Sequence, residues 1–177
     1  MNITVYLGAC EGCDPQLKQA VRELGTWIGT SGNSLVYGGS KTGLMGELAQ
    51  AALEAGAEVT GVEPQFFVDS VLQLEGLTRL IVTPDIAQRK AKMIELGDAF
   101  VAFPGGTGTL EEISQIMSMI GLGQLEAPCV FYNLNGYYNP MAEQLDRMLA
   151  CDLTSPERLR GISFVRNLDE LVACLSA

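Results

Sequence analysis

The chain has 177 residues, of which 47% are apolar and 18% charged, and its formal net charge is −10 with a pI near 4.4. That composition excludes a disordered polymer and is enough for one domain, residues 1–177, with a core of its own. The acidic balance argues against a nucleic-acid polymer or an anionic membrane surface as partner, and no apolar run nears the roughly 20 residues that span a bilayer.

From the amino terminus, Ile3–Leu7 is a short run rich in β-branched residues, followed by Gly8-Ala9-Cys10-Glu11-Gly12. The first ten residues lack the basic start of a signal peptide and read as a first strand. A helical period follows at Pro15–Gly29, then a strand at Ser34–Tyr37, the loop Gly38-Gly39-Ser40-Lys41-Thr42-Gly43 and a helix at Gly43–Ala55. Glu58–Val62 and Arg79–Val82 read as strands, Asp85–Leu96 as a helix and Ala99–Phe103 as a fifth strand. After the loop Pro104–Thr109 come a helix at Thr109–Gly121, strands at Cys129–Tyr132 and Ile162–Val165, and helices at Pro140–Leu149 and Leu168–Leu175. Apolar strands alternating with helices predict an α/β, Rossmann-like fold, a mostly parallel sheet of about seven strands with helices on both faces. Ligands bind such sheets at the carboxyl ends of the strands, where the strand order reverses. Three glycine loops sit at that edge, which predicts one shared pocket.

The loop after the fifth strand, "PGGTGTLEE", is almost free of side chains and is followed by two carboxylates. Glycines let a backbone approach a phosphate closely, and a helix start offers unpaired N–H groups with a partial positive charge. Thr107 and Thr109 add hydroxyl donors. Thr109-Leu110-Glu111-Glu112 also reads as a capping box, with Thr109 as N-cap and Glu112 folding back on it. Gly38, Gly39 and Lys41 in the second loop suit an anion, while Gly43 and Gly46 equally suit close packing of a helix on the sheet. Arg89, Lys90 and Lys92 crowd one turn of an acidic chain just before the strand that carries the glycine loop. Arg89 offers a planar fork to a phosphate or a base. There is no histidine, and the five cysteines include one lone C-x-x-C, Cys10 and Cys13. That set predicts neither a metal site nor a cofactor, and reduced thiols in a cytoplasmic protein.

"LVYGGSKTGLMG", "RKAKM" and "PGGTGTLEE" together resemble the Lonely Guy (LOG) family, with its P-G-G-x-G-T-x-x-E signature, from the first strand to about Glu126. The resemblance implies a Rossmann-like homodimer that releases a free base from a nucleoside 5′-monophosphate, of adenine or cytokinin type. It implies that Gly105, Gly106, Thr107, Gly108 and Thr109 cradle the 5′-phosphate, that Arg89 and Glu112 form the catalytic pair, and that Lys90 and Glu111 lie nearby. The older family label "possible lysine decarboxylase" fits poorly, because no pyridoxal-phosphate lysine site is evident. Two positions depart from the pattern: Ala87 stands where many members carry a polar residue, and Val71 where many carry a glutamate, with Asp69 and Glu75 close by.

Two classes of function remain open on these residues. One is the hydrolase, favoured by Arg89 with Glu112. The other is a non-catalytic carrier of a nucleotide or of the molybdenum cofactor, favoured by Ala87 and Val71. A nucleotide-dependent oxidoreductase is weaker, since no G-x-G-x-x-G opens the first helix. The segment "ISQIMSMIGLGQL" carries Ile113, Ile116, Met117, Met119, Ile120 and Leu122, more apolar surface than one stripe requires, which suits either a second subunit or the chain's own carboxy-terminal segment.

Overall fold

The computed structural model describes every residue except Asp69, Val71 and Ala177. In chain order the elements are β1 Asn2–Tyr6, α1 Gln16–Thr30, β2 Ser34–Tyr37, α2 Gly43–Glu54, β3 Val59–Pro64, α3 Gln65–Val68 and β4 Arg79–Thr83. They continue as α4 Ile86–Leu96, β5 Ala99–Ala102, α5 Thr107–Gly121, β6 Cys129–Tyr132, α6 Asn139–Ala150, β7 Ile162–Val165 and α7 Leu168–Leu175. The strands form one sheet in the order β4-β3-β2-β1-β5-β6-β7, and every pairing is parallel.

Period-two alternation divides the side chains between two cores. Ile3, Val5, Val101, Phe103, Val130 and Tyr132 face one layer, where Leu24, Leu48 and Leu171 from α1, α2 and α7 cover them. Tyr6, Phe100, Ala102, Cys129 and Phe131 face the other, against Met93 of α4 and Ile113 and Ile116 of α5. With both faces covered, the central strands have no polar side to expose. Their nearly unbroken apolar runs follow from that.

The sheet reverses direction at its middle. From β1 the chain builds outward through β2, β3 and β4, then returns to the other side of β1 for β5, β6 and β7. The crevice between the carboxyl ends of β1 and β5 is therefore the switch point. Backbone bonds close it from beneath, where Tyr6 and Ala102 are paired in register and the Gly8 N–H donates to the Pro104 carbonyl at 3.4 Å.

Three expectations need correction. β3 runs on through Glu63 and Pro64 instead of stopping at Val62, because its pairing with β4 continues to Pro64 against Thr83. α3 was not foreseen. The capping box is absent: α5 begins at Thr107 with Gly106 as its N-cap, so Thr109 lies inside the first turn, and Glu112 turns to Arg89 instead of back to the helix start.

Candidate active site

α5 begins at the switch point. The N–H groups of Thr107, Gly108 and Thr109 in its first turn have no helical carbonyl to bond, so they face outward as a ready anion site. Gly106, Thr107 and Gly108 are exposed, whereas Thr109 is buried beneath them. Gly105 cannot carry a side chain: a Cβ there would collide with the Thr109 hydroxyl and stand 2.8 Å from the Gly8 nitrogen. Two tyrosines hold the loop from the far side. Tyr138 donates its hydroxyl to the Phe103 carbonyl at 2.9 Å, and Tyr137 to the Gly105 carbonyl at 2.5 Å. The loop is bare toward the crevice and anchored behind it.

Beside this loop lies a buried ion pair. Arg89 donates from Nη1 to Glu112 Oε1 at 2.6 Å and from Nε to the Val62 carbonyl at 2.9 Å. Asp85 caps α4 by accepting from the Gln88 N–H at 2.8 Å, which sets the helix start one turn ahead of Arg89. Gly38 opens the space for the guanidinium, since a Cβ there would lie 2.5 Å from Arg89 Nη2. Only 8% of each residue's surface reaches solvent, so neither charge is dispersed by water. Burial pushes the Glu112 carboxyl above its ordinary range and Arg89 pulls it partly back. The Tyr6 hydroxyl is also raised, first by burial and then by the nearby Glu112 charge. Lys90 and Glu111 form a second, more exposed pair one residue away on each helix.

A cavity of ≈ 350 Å³ connects these parts, walled by Gly8, Ala9, Arg89, Thr107, Gly108 and Glu112 among others. A smaller one, of ≈ 140 Å³, adjoins it across the shared residues Ala9, Met45, Phe67 and Arg89 and ends at Gly38, Ser40 and Glu63. A larger hollow, of ≈ 690 Å³, runs along α1, where Lys18 and Arg22 are already paired with Glu47. Convergent donors and acids mark the switch-point cavity as the candidate site, whatever the volumes.

Most residues singled out in the sequence meet here. Gly105 to Thr109, Arg89, Lys90, Glu111 and Glu112 surround the larger cavity or its loop, Gly38 backs Arg89, and Gly39, at φ +86°, packs on Glu63. Lys41 is exposed and lines neither cavity. Gly46 has a packing role, because a Cβ would strike the Lys41 carbonyl. Lys92 pairs with Glu95 at the surface. Ala87 and Glu75 are exposed and line neither cavity, and Val71 and Asp69 lie outside the described residues. Glu63, Tyr137 and Tyr138 were missed. An acid one residue before a proline, and a Tyr-Tyr pair well downstream of the loop, carry no local signal for a site.

A family profile described as "Possible lysine decarboxylase" matches residues 45–175, well beyond the Glu126 at which the motif resemblance faded. The chain is 38% identical over 175 residues to a cytokinin riboside 5′-monophosphate phosphoribohydrolase of Rhodococcoides fascians, covering 98% of this chain and 88% of that one. The chain belongs to the Lonely Guy family. The corresponding enzyme LOG1 of Arabidopsis thaliana is 35% identical over 171 residues, with 97% and 80% covered. In fold, this Lonely Guy chain superposes on a molybdenum cofactor carrier protein of Chlamydomonas reinhardtii with a TM-score of 0.73 at 22% identity, covering 99% and 94%. At that identity the likeness concerns the fold alone.

Proposed function

We propose that this chain hydrolyses the N-glycosidic bond of a nucleoside 5′-monophosphate of adenine or cytokinin type, releasing the free base and ribose 5-phosphate. One observation carries the reading: a buried arginine–glutamate pair stands beside an open helix start stripped of side chains, in one cavity. The relatives named phosphoribohydrolases supply the substrate class.

The 5′-phosphate sits against the first-turn amides of α5 and the hydroxyls of Thr107 and Thr109, held by charge and by donors already in place. The ribose then lies along Arg89 and Glu112. As the C1′–N bond breaks, its electron pair leaves with the base and positive charge builds on the ribose. The Glu112 carboxylate stabilises that charge and takes a proton from the water that attacks C1′. Arg89 keeps Glu112 ionised and orients the nucleotide. Lys90 and Glu111 border the phosphate side.

The reading extends to a cytoplasmic homodimer. The five cysteines are free, which suits a reducing compartment. Leu122 and Leu153, 66% and 77% exposed, rim a shallow apolar groove with Met117, Leu145 and Met148, a surface suited to a second copy.

The test is free-base release, followed by chromatography, from a panel of nucleoside 5′-monophosphates and their unphosphorylated nucleosides. Release only from the monophosphates is expected, with a fall of about 10²–10⁴-fold in Glu112→Gln. Nucleotide bound but never cleaved would replace the hydrolase with a carrier.

A further inference from the structure

Glu63 is a buried acid near the site to which the reaction above gives no part. It is the penultimate residue of β3, with only 1% of its surface exposed, and its Oε2 has no hydrogen-bond partner among the described residues. A buried acceptor without a partner is costly unless it carries a proton or meets a ligand. The fold makes room for it deliberately. Gly39, held at φ +86°, abuts the Glu63 side chain and would collide with it if it bore a Cβ, and Gly61 leaves space for Gly39 in turn. Glu63 walls the small cavity of ≈ 140 Å³, with Met45, Phe67 and Leu72 as apolar neighbours and the Ser40 hydroxyl as a polar one. That cavity adjoins the larger one across Ala9, Met45, Phe67 and Arg89, which line both. With the phosphate at α5 and the ribose at Arg89 and Glu112, the remaining part of a nucleotide, its flat base, falls in the chamber walled by Glu63.

We propose that Glu63 is the proton donor to the departing base. This rests on the hydrolase reading. The C1′–N bond breaks with its electron pair going to the base, the proton of Glu63 adds to a ring nitrogen, and the water attacking C1′ gives a proton to Glu112. Glu63 is left as carboxylate and Glu112 as acid, and the net transfer of one proton from Glu112 to Glu63 through solvent restores both. Two carboxyls on either side of Arg89 thus hold opposite protonation states.

The surroundings suit a neutral carboxyl at Glu63. Burial raises it, and Arg89 from α4 opposes the rise. From β2 it faces the buried Tyr37 hydroxyl, itself raised by burial and by Glu63. Met45 of α2 and Phe67 of α3 bring no charge, and the Thr83 hydroxyl of β4 donates to the backbone carbonyls of Glu63 and Asp85. Glu112 of α5 lies beyond Arg89.

The experiment compares leaving groups. AMP needs its base protonated on departure. Nicotinamide mononucleotide and 7-methylguanosine 5′-monophosphate do not, because their rings already carry positive charge. Glu63→Gln is expected to lose about 100-fold or more on AMP while staying within about threefold on the cationic substrates. The wild-type rate on AMP should fall at high pH, and that alkaline limb should vanish in Glu63→Gln. Equal losses on both substrate types, no loss on AMP, or an alkaline limb unchanged in the variant overturns the proposal while leaving the hydrolase intact. No base release from any monophosphate by wild type overturns both.

An equilibrium measurement guards against a variant that folds poorly. The folded chain holds the Glu63 proton more tightly than the unfolded chain. Its stabilisation is therefore full below the ordinary glutamate value and is lost as pH rises through the higher folded value. Wild-type stability should fall over that window relative to Glu63→Gln; a constant difference between the two overturns the proposal. Should the variant fail to fold, the wild-type alkaline limb decides alone: seen with AMP and absent with the cationic substrates, or the proposal fails.

Discussion

Replacing Gly38 by alanine adds one methyl group at the wall behind Arg89. Gly38 has no positive φ, so alanine fits the backbone and the effect comes from contact alone. The new Cβ would stand 2.5 Å from Arg89 Nη2 and 3.3 Å from the Met45 sulfur. Comfortable separation is about 3.5 Å, so the guanidinium must retreat by roughly 1 Å. It cannot do so freely, because Nε and Nη1 are tied to the Val62 carbonyl and Glu112. A misplacement of that size costs on the order of 100-fold in rate. The fold should tolerate it, since overpacking by one methyl costs about 1–3 kcal/mol. For a chain of this length, each 1 kcal/mol lowers the melting temperature by about 2–4 °C. The loop proposed to hold the phosphate is untouched, so nucleotide affinity should hold within about threefold, a change of under 1 kcal/mol. Steady-state base release at saturating AMP, nucleotide affinity by calorimetry and thermal melting together read these three quantities. A kcat within about threefold of wild type would refute the idea that Gly38 sets the position of Arg89 for the chemistry. A parallel loss of affinity would move the effect to the phosphate loop.

Two further outcomes follow from the same geometry. Glu112 must be ionised to accept a proton, and burial raises its carboxyl despite Arg89. Base release should therefore fall on acidification at a pH above the ordinary glutamate range, and an acid limb at or below that range would contradict its role as base. The proposed homodimer predicts twice the single-chain mass by light scattering, reverting toward one chain in Leu122→Glu, where a charge would enter the apolar groove; a single-chain mass for wild type at working concentration refutes it.

The sequence by itself determined most of the elements and the bare glycine loop, because both are local matters. Alternating apolar runs and helical periods mark strands and helices within ten or fifteen residues. A glycine loop ahead of a helix is written in adjacent positions, so Gly105 to Thr109 were legible at once. Arg89 and Glu112 drew notice separately, in a cluster of cations and as an acid behind the loop, but as a pair they were legible only through resemblance to a family, since nothing in the 22 residues between them says that they touch. Local reading also misjudged Thr109: a T-x-x-E string fits a cap, but the helix begins two residues earlier, and the stronger partner for Glu112 comes from another helix. Tertiary structure decided the rest. Only the strand order brings the ends of β1 and β5 together and carries Tyr137 and Tyr138 back to the loop. Glu63 makes the point most sharply. As a letter between a strand read as ending at Val62 and a proline it draws no notice, yet pairing with β4 and the bare Gly39 enclose it beside Arg89. Burial is a property of everything packed around a residue, so the protonation state of that carboxyl is set by contacts far apart in the chain.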